Sequence, residues 1–274
     1  MDKGIATFWG YIGEEYDWKS KLRKIKNAGF DRIMTTADKR FNYQNGSIDK
    51  QVKYAKKIGL KLSSLHCTYD EEKLHYFWEK GSEGKAIEKI LKNDIKICAK
   101  YGFTCVVVHL MGVGSEIGLK RLNRLLSYAQ KKNVLLAIEN LLDAKLHKFV
   151  FDNISHPNLK MCYDTGHNNF ADKQVKYLEL YSDKVITLHI HDNNGERDEH
   201  TLMKYGTIDW NRIAKQLAKT PVEILDYELL SKNLSSVMTG DEALKQAYNE
   251  LCELEKKILR YREQKTISSA KNKA

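Results

Sequence analysis

A chain of 274 residues, 42% of them apolar, can bury one large core, and no run approaches the roughly 18 to 20 apolar residues of a membrane span. The net charge of +10 invites a nucleic-acid partner, but half of it lies in residues 255–274 and the rest is spread over Lys-rich helices with solvated faces. The N-terminus lacks the features of a signal peptide, and five scattered cysteines without a C-x-x-C pair argue against a disulfide framework or zinc knuckle, so a soluble, cytoplasmic protein with reduced thiols is expected.

Strand-like runs recur at Ile5–Trp9, Arg32–Thr35, Lys61–His66, Cys105–His109, Leu135–Glu139, Leu159–Asp164, Val185–His191 and Val222–Glu228. Their near-continuous apolar, β-branched character is that of strands covered on both faces. Amphipathic stripes lie between them: Trp18, Leu22, Ile25 and Ala28; then Ile87, Ile90, Leu91, Ile95 and Ile97; then Leu119, Leu122, Leu125, Leu126 and Ala129; then Ile213, Leu217 and Ala218. Gly29, Gly59 and Gly102 each follow a helix and precede a strand, as C-caps do. Eight strands alternating with about eight helices predict an α/β fold, a single (β/α)8 TIM barrel, for which about 250 residues is typical. The alternative is an open doubly wound sheet, but no glycine-rich phosphate loop follows a strand. The barrel should occupy residues 1–264, its last helix running over about Asp241–Glu263, with a basic polar tail at 265–274.

Six of the strand runs end on a metal-capable side chain: His66, His109, Glu139, Asp164, His189 and Glu228, 25 to 43 positions apart. In a barrel all parallel strands point their C-terminal ends at one rim, so these residues converge. Glu139, Asp164, His189 and Glu228 form a mostly hard, anionic ligand set suited to Mn²⁺, Co²⁺ or Mg²⁺, with Zn²⁺ also admissible. Such an ion can polarise adjacent carbonyl and hydroxyl oxygens of a sugar and acidify the C–H between them, while Glu139 and Glu228 remove and return the proton. His167, His191, Asp198 and His200 join His66 and His109 as candidates for a second ion or for substrate contact. His191 follows His189 by two, which places both on one side of a strand. Trp9 and Tyr69, after the first and third strands, are candidate walls for a sugar ring, and Trp210 is expected to fasten its helix to the barrel.

The strings CYDTGHNNF (162–170) and HIHDNNGERDEH (189–200), with Gly206-x-x-Asp209-Trp210, resemble the xylose-isomerase-like barrel superfamily. That group holds sugar and sugar-phosphate isomerases and epimerases as well as DNA-repair enzymes of the endonuclease IV type. The resemblance implies that Glu139, Asp164, His189 and Glu228 are the four ligands of the epimerase branch, that the two glutamates act as acid and base, and that His167 touches substrate. The repair branch binds three zinc ions, for which His66, His109, His167, Asp198 and His200 are candidates here. The loops favour small-molecule chemistry: Asn140 runs straight into Leu141-Leu142-Asp143, and acidic Asp70-Glu71-Glu72 is a poor neighbour for phosphates. The expected function is therefore a metal-dependent sugar or sugar-phosphate isomerase or epimerase working through an enediolate. An abasic-site endonuclease and a non-catalytic carbohydrate-binding barrel are the alternatives. No membrane partner is expected, and a homo-oligomer stays open.

Overall fold

The computed structural model describes residues 1–7, 17–42 and 46–271, so the candidate wall residue Trp9 lies outside the described residues. Among those described are strands β1 (Asp2–Ala6), β2 (Arg32–Thr36), β3 (Lys61–His66), β4 (Cys105–Val108), β5 (Leu135–Glu139), β6 (Leu159–Asp164), β7 (Val185–His189) and β8 (Ile224–Tyr227). All pair in parallel, in the order β7-β6-β5-β4-β3-β2-β1-β8. The ring closes through a bridge between Ile190 and Tyr227, where Ile190 N donates to Asp226 O (2.9 Å) and Glu228 N to Ile190 O (2.8 Å). The expected (β/α)8 barrel is the fold.

Helices alternate with these strands: α1 (Trp18–Ala28), α2 (Ile48–Lys57), α3 (Ser82–Tyr101), α4 (Glu116–Lys131), α5 (Ala144–Asn153), the short α6 (Thr165–Phe170) and α7 (Tyr177–Leu180), then α8 (Trp210–Leu217) and α9 (Gly240–Lys271). Local chemistry sets their limits. Asp17 caps α1 by accepting from Lys19 N and Ser20 N, and Gly29 ends it with φ 113°. Ser115 accepts from Gly118 N at the start of α4.

Side chains alternate across each strand, and this alternation aims the functional groups. Val106, Val108, Leu136, Ile138, Met161, Tyr163, Leu188, Leu225 and Tyr227 face outward into the main core against the helices. Cys105, Val107, Ala137 and Cys162 form a separate small cluster inside the barrel. The next inward positions on those strands are His109, Glu139 and Asp164. Small interior side chains thus leave the rim to the polar groups.

Some boundaries differ from expectation. The first strand begins at Asp2 and ends at Ala6, because its charged start is compensated from afar: Arg32 Nε lies 2.7 Å from Asp2, and Lys3 Nζ lies 2.6 Å from Glu255. The seventh strand ends at His189 and the eighth spans only Ile224–Tyr227. On α3, Leu91 and Ile95 are buried, but Ile90 is 40% exposed and off the core face. The last helix continues past Glu263 to Lys271, through a sequence with no glycine or proline to stop it. No helix among the described residues is long and apolar enough to cross a membrane.

Candidate metal centre

Glu139, Asp164, His189 and Glu228 meet at the C-terminal rim, and their donor atoms all lie within 4.8 Å of one another. Each is almost fully buried. His189 Nδ1 lies 3.0 Å from Glu139 Oε1, 3.2 Å from Glu228 Oε2 and 3.9 Å from Asp164 Oδ2. Neither ring nitrogen of His189 has a partner in hydrogen-bond geometry. Donors this close that do not point at each other point at a shared space between them. Three buried carboxylates around one imidazole need a cation, so the residues fit a divalent ion.

Two further groups flank the first. Glu139 reaches the other way, its Oε2 lying 2.8 Å from His109 Nε2, which is 3.0 Å from His66 Nε2. On the opposite side, His167, His191, Asp198 and His200 form a second tetrad. Asp198 Oδ2 is 3.0 Å from His200 Nε2 and 3.3 Å from His167 Nε2, and its Oδ1 is 3.7 Å from His191 Nε2. Backbone carbonyls orient three of these rings. The Nδ1 atoms of His66, His167 and His200 lie 3.0–3.1 Å from the carbonyls of Cys67, Asn140 and Glu228 respectively. A nitrogen facing a carbonyl must donate, which makes Nε2 the nitrogen each ring turns toward its neighbours in the cluster and the one that would ligate a cation. His200 is also held at φ 47°, a left-handed conformation unusual for a non-glycine residue.

Short-range geometry fixes the D-x-x-H pair. Asp164 Oδ1 accepts from His167 N at 2.6 Å, so the carboxylate caps the helix that carries the histidine. Gly166 lies between them because a Cβ there would sit 1.9 Å from His191 Cε1. Asp164 Oδ1 and Oδ2 both lie within 3.1 Å of His191 Nε2.

The charge states follow from this crowding. Burial would raise Glu139, but His189 and His109 hold its carboxyl well below the ordinary range. Glu228 is likewise held low, against burial, by His189 and then His200. Burial would lower His189, yet Cys162 and the carboxylates of Glu139 and Glu228 keep it well above an ordinary histidine. His200, also buried, is raised to about 9 by Asp198 and Glu228. His66 goes the other way, falling to about 3 through burial and the neighbouring His109. Both glutamates are therefore ionised at neutral pH, and His66 is neutral.

A cavity of about 240 Å³ opens above these donors. Tyr69 lines it, its ring 4.4 Å from that of His109. Met111, Leu141, Leu142 and Phe170 form an apolar rim, and no lysine or arginine is among the described residues lining it. All the sequence-predicted site residues within the described segments come together here. Asn140, 0% exposed, was missed: its amide donates to Asp164 O (2.9 Å) and accepts from Asp164 N (2.7 Å), locking the two strand ends together. Asp192 was missed too. It accepts from Trp210 Nε1 (2.7 Å), Thr207 N and Ile208 N, tying the loop after β7 to α8. Only its place inside the HIHDNN string hinted at this.

Comparison with known proteins agrees with this architecture. The chain is 27% identical over 268 residues to the uncharacterized protein y4fM of Sinorhizobium fredii, covering 80% of this chain and 84% of that one. A crystallised D-tagatose 3-epimerase-like protein superposes with a TM-score of 0.75 at 17% identity, over 96% of this chain and 99% of its own. The IOLI protein with a binding zinc atom gives 0.75 at 17% identity, over 95% and 99%. Residues 22–253 match the family model described as xylose isomerase-like TIM barrel. The chain belongs to the xylose isomerase-like TIM barrel family.

Proposed function

We propose that the protein is a divalent-metal-dependent sugar isomerase or epimerase with Glu139 and Glu228 as its acid–base pair. The observation that carries this reading is the pair itself: two buried glutamates, both depressed below the ordinary range, converge on His189 Nδ1 at 3.0 and 3.2 Å beneath an open cavity. A divalent ion held by Glu139, Asp164, His189 and Glu228 would supply Lewis-acid polarisation of neighbouring carbonyl and hydroxyl oxygens. One glutamate takes the proton from the activated carbon; for epimerisation the other, first protonated from solvent, delivers a proton to the opposite face while the first releases its own to solvent, and for isomerisation the first hands its proton to the adjacent carbon. His167, facing the cavity beside Glu139, hydrogen-bonds a substrate hydroxyl, and Tyr69 walls the ring. The low-identity likeness to a 3-epimerase-like protein supports the same chemistry.

A screen of ketoses, inososes and their phosphates in deuterated water, with Mn²⁺, Co²⁺, Mg²⁺ or Zn²⁺, tests this directly. Solvent deuterium should enter the substrate carbon, and Glu139→Gln or Glu228→Gln should each cut exchange by about 10²–10⁴-fold with the fold intact. Exchange unchanged in both variants would remove the acid–base assignment.

A second reading has its own observation: the flanking His66–His109–Glu139 and His167–His191–Asp198–His200 groups could hold further ions, as a phosphodiesterase acting on abasic DNA requires. Chelator-sensitive nicking of an abasic duplex would favour it. The apolar rim and the lack of lysine or arginine among the described lining residues favour the sugar substrate.

A further inference from the structure

Tyr69 walls the metal pocket on one side, and a larger space lies behind it. That cavity, about 380 Å³, is lined by Leu74 and by Ala86, Ile87, Ile90 and Leu91 of α3, and it shares Tyr69 and His109 with the metal pocket. We propose that this chamber receives an uncharged alkyl or aryl arm of the substrate, whose polyhydroxylated head sits over the metal ligands. The substrate class is then a sugar-like head bearing an apolar substituent rather than a free sugar or sugar phosphate. This rests on the reading of the metal pocket given above.

Three observations carry it. The partition is fixed from both sides. Thr68 donates through its N and Oγ1 to Asp94 (2.8 and 3.3 Å), and Arg40 donates to the Tyr69 carbonyl while its guanidinium lies 5.9 Å from the ring centroid. The chamber is thus a built space, and its volume lies in the 300–1,000 Å³ range of ligand sites rather than of packing defects. Second, the side of it built by Leu74 and α3 is apolar, and among the described residues nothing covers Ile90 there, which stays 40% exposed. Third, the cations at its rim are matched locally, Arg40 by Asp38 (2.8 Å from Nε) and Lys73 by Asp70 (3.0 Å). Glu83, which also lines the chamber, leaves it net acidic, so a phosphate finds little to bind and a neutral arm is suited to the apolar side.

Hydroxamates, which chelate divalent ions through a compact head, separate the two compartments. The probes are acetohydroxamate and octanohydroxamate, titrated calorimetrically into metal-loaded protein. Each methylene entering the chamber should tighten binding about fourfold, so the long probe should bind more than about a hundredfold better. Ala86→Trp, at an exposed helix position, should fill the chamber, erase most of that gain and leave acetohydroxamate affinity unchanged. Ile90→Asp should weaken only the long probe. Equal binding of both probes, or a gain that survives Ala86→Trp, would overturn the proposal. In metal-free protein, 1-octanol alone should shift the methyl resonances of Ile87 and Ile90 in wild type and not in Ala86→Trp, and no shift would also overturn it. A chain-length gradient without deuterium exchange would sink only the catalytic reading, and exchange without the gradient only the chamber.

Discussion

Stripping the divalent ion should lower the melting temperature, and the size of the drop can be worked from the site. Glu139, Asp164 and Glu228 are 1%, 0% and 2% exposed and share one imidazole, His189. Without a cation, this much buried negative charge is compensated only by protonated histidines, an arrangement that costs several kcal/mol. An ion present at a thousand times its Kd adds about 4.1 kcal/mol to the folded state. At about 2–4 °C per kcal/mol for a chain of this size, saturation should raise Tm by roughly 8–16 °C over the chelated protein. Calorimetry with and without chelator, paired with elemental analysis, reads it. The shift should also grow between pH 6 and pH 9. Metal must displace the protons that the pocket holds on His189, raised well above 6.5, and on His200, raised to about 9, and fewer remain as pH rises. Glu139→Gln should reduce both the Tm shift and the bound equivalents more than His66→Ala, because Glu139 belongs to three of the donor groups and His66 to one. A Tm and metal content indifferent to chelator, or a full shift retained in both Glu139→Gln and Glu228→Gln, would refute the reasoning.

Two other perturbations follow from single contacts. Gly166→Ala places a Cβ 1.9 Å from His191 and should push that ring off Asp164, weakening metal affinity about 10–100-fold in a titration while far-UV circular dichroism stays unchanged. Asp94 is 1% exposed, and burial raises its carboxyl from 3.8 to about 7. As pH climbs from 4 to 7 the unfolded chain ionises this group while the fold keeps it neutral, so stability is full below 3.8 and drains away through pH 7, on the order of 2–4 kcal/mol in total. Asp94→Asn, which keeps one acceptor for Thr68 N, should match wild type in urea denaturation at pH 4 and exceed it at pH 8. Equal stability at pH 8 would show the carboxyl to be ionised without penalty.

The rim was legible because a parallel strand reports its own orientation. Cys105, Val107 and His109 recur at every second position, so the inward histidine is implied by the small residues before it, and the same holds for Ala137 and Glu139 and for Cys162 and Asp164. What escaped depends on register or on distant partners. Asn140 reads as an ordinary residue after a glutamate until β5 and β6 are aligned, when its amide meets the backbone of Asp164. The start of β1 at Asp2, three residues before the expected Ile5, carries two charges whose counter-charges, Arg32 and Glu255, come from elsewhere in the chain. Ile90 fits the periodicity of α3 but faces the chamber instead of the core. Periodicity counts apolar side chains and does not distinguish a core from a binding surface.

The donors are also unevenly placed around the ring, and that placement links stability to function. Seven of the eight neighbouring strand pairs hold through ladders of two or more paired residues, two of them with a register shift, whereas β7 and β8 meet through the bridge at Ile190 and Tyr227. His189 and His191 lie immediately on either side of that bridge, and Glu228 follows Tyr227 just past the end of β8. His200 spans the seam as well, its Nδ1 donating to Glu228 O at 3.0 Å and its carbonyl accepting from Leu230 N at 2.9 Å. An ion shared by Glu139, Asp164, His189 and Glu228 therefore joins the two edges where backbone pairing is thinnest. Closure of the barrel assembles the ligands, and a ligated ion would in turn hold the barrel closed, so amide exchange at Ile190 and Glu228 should slow when metal is added, and more than exchange in β4 or β5 does.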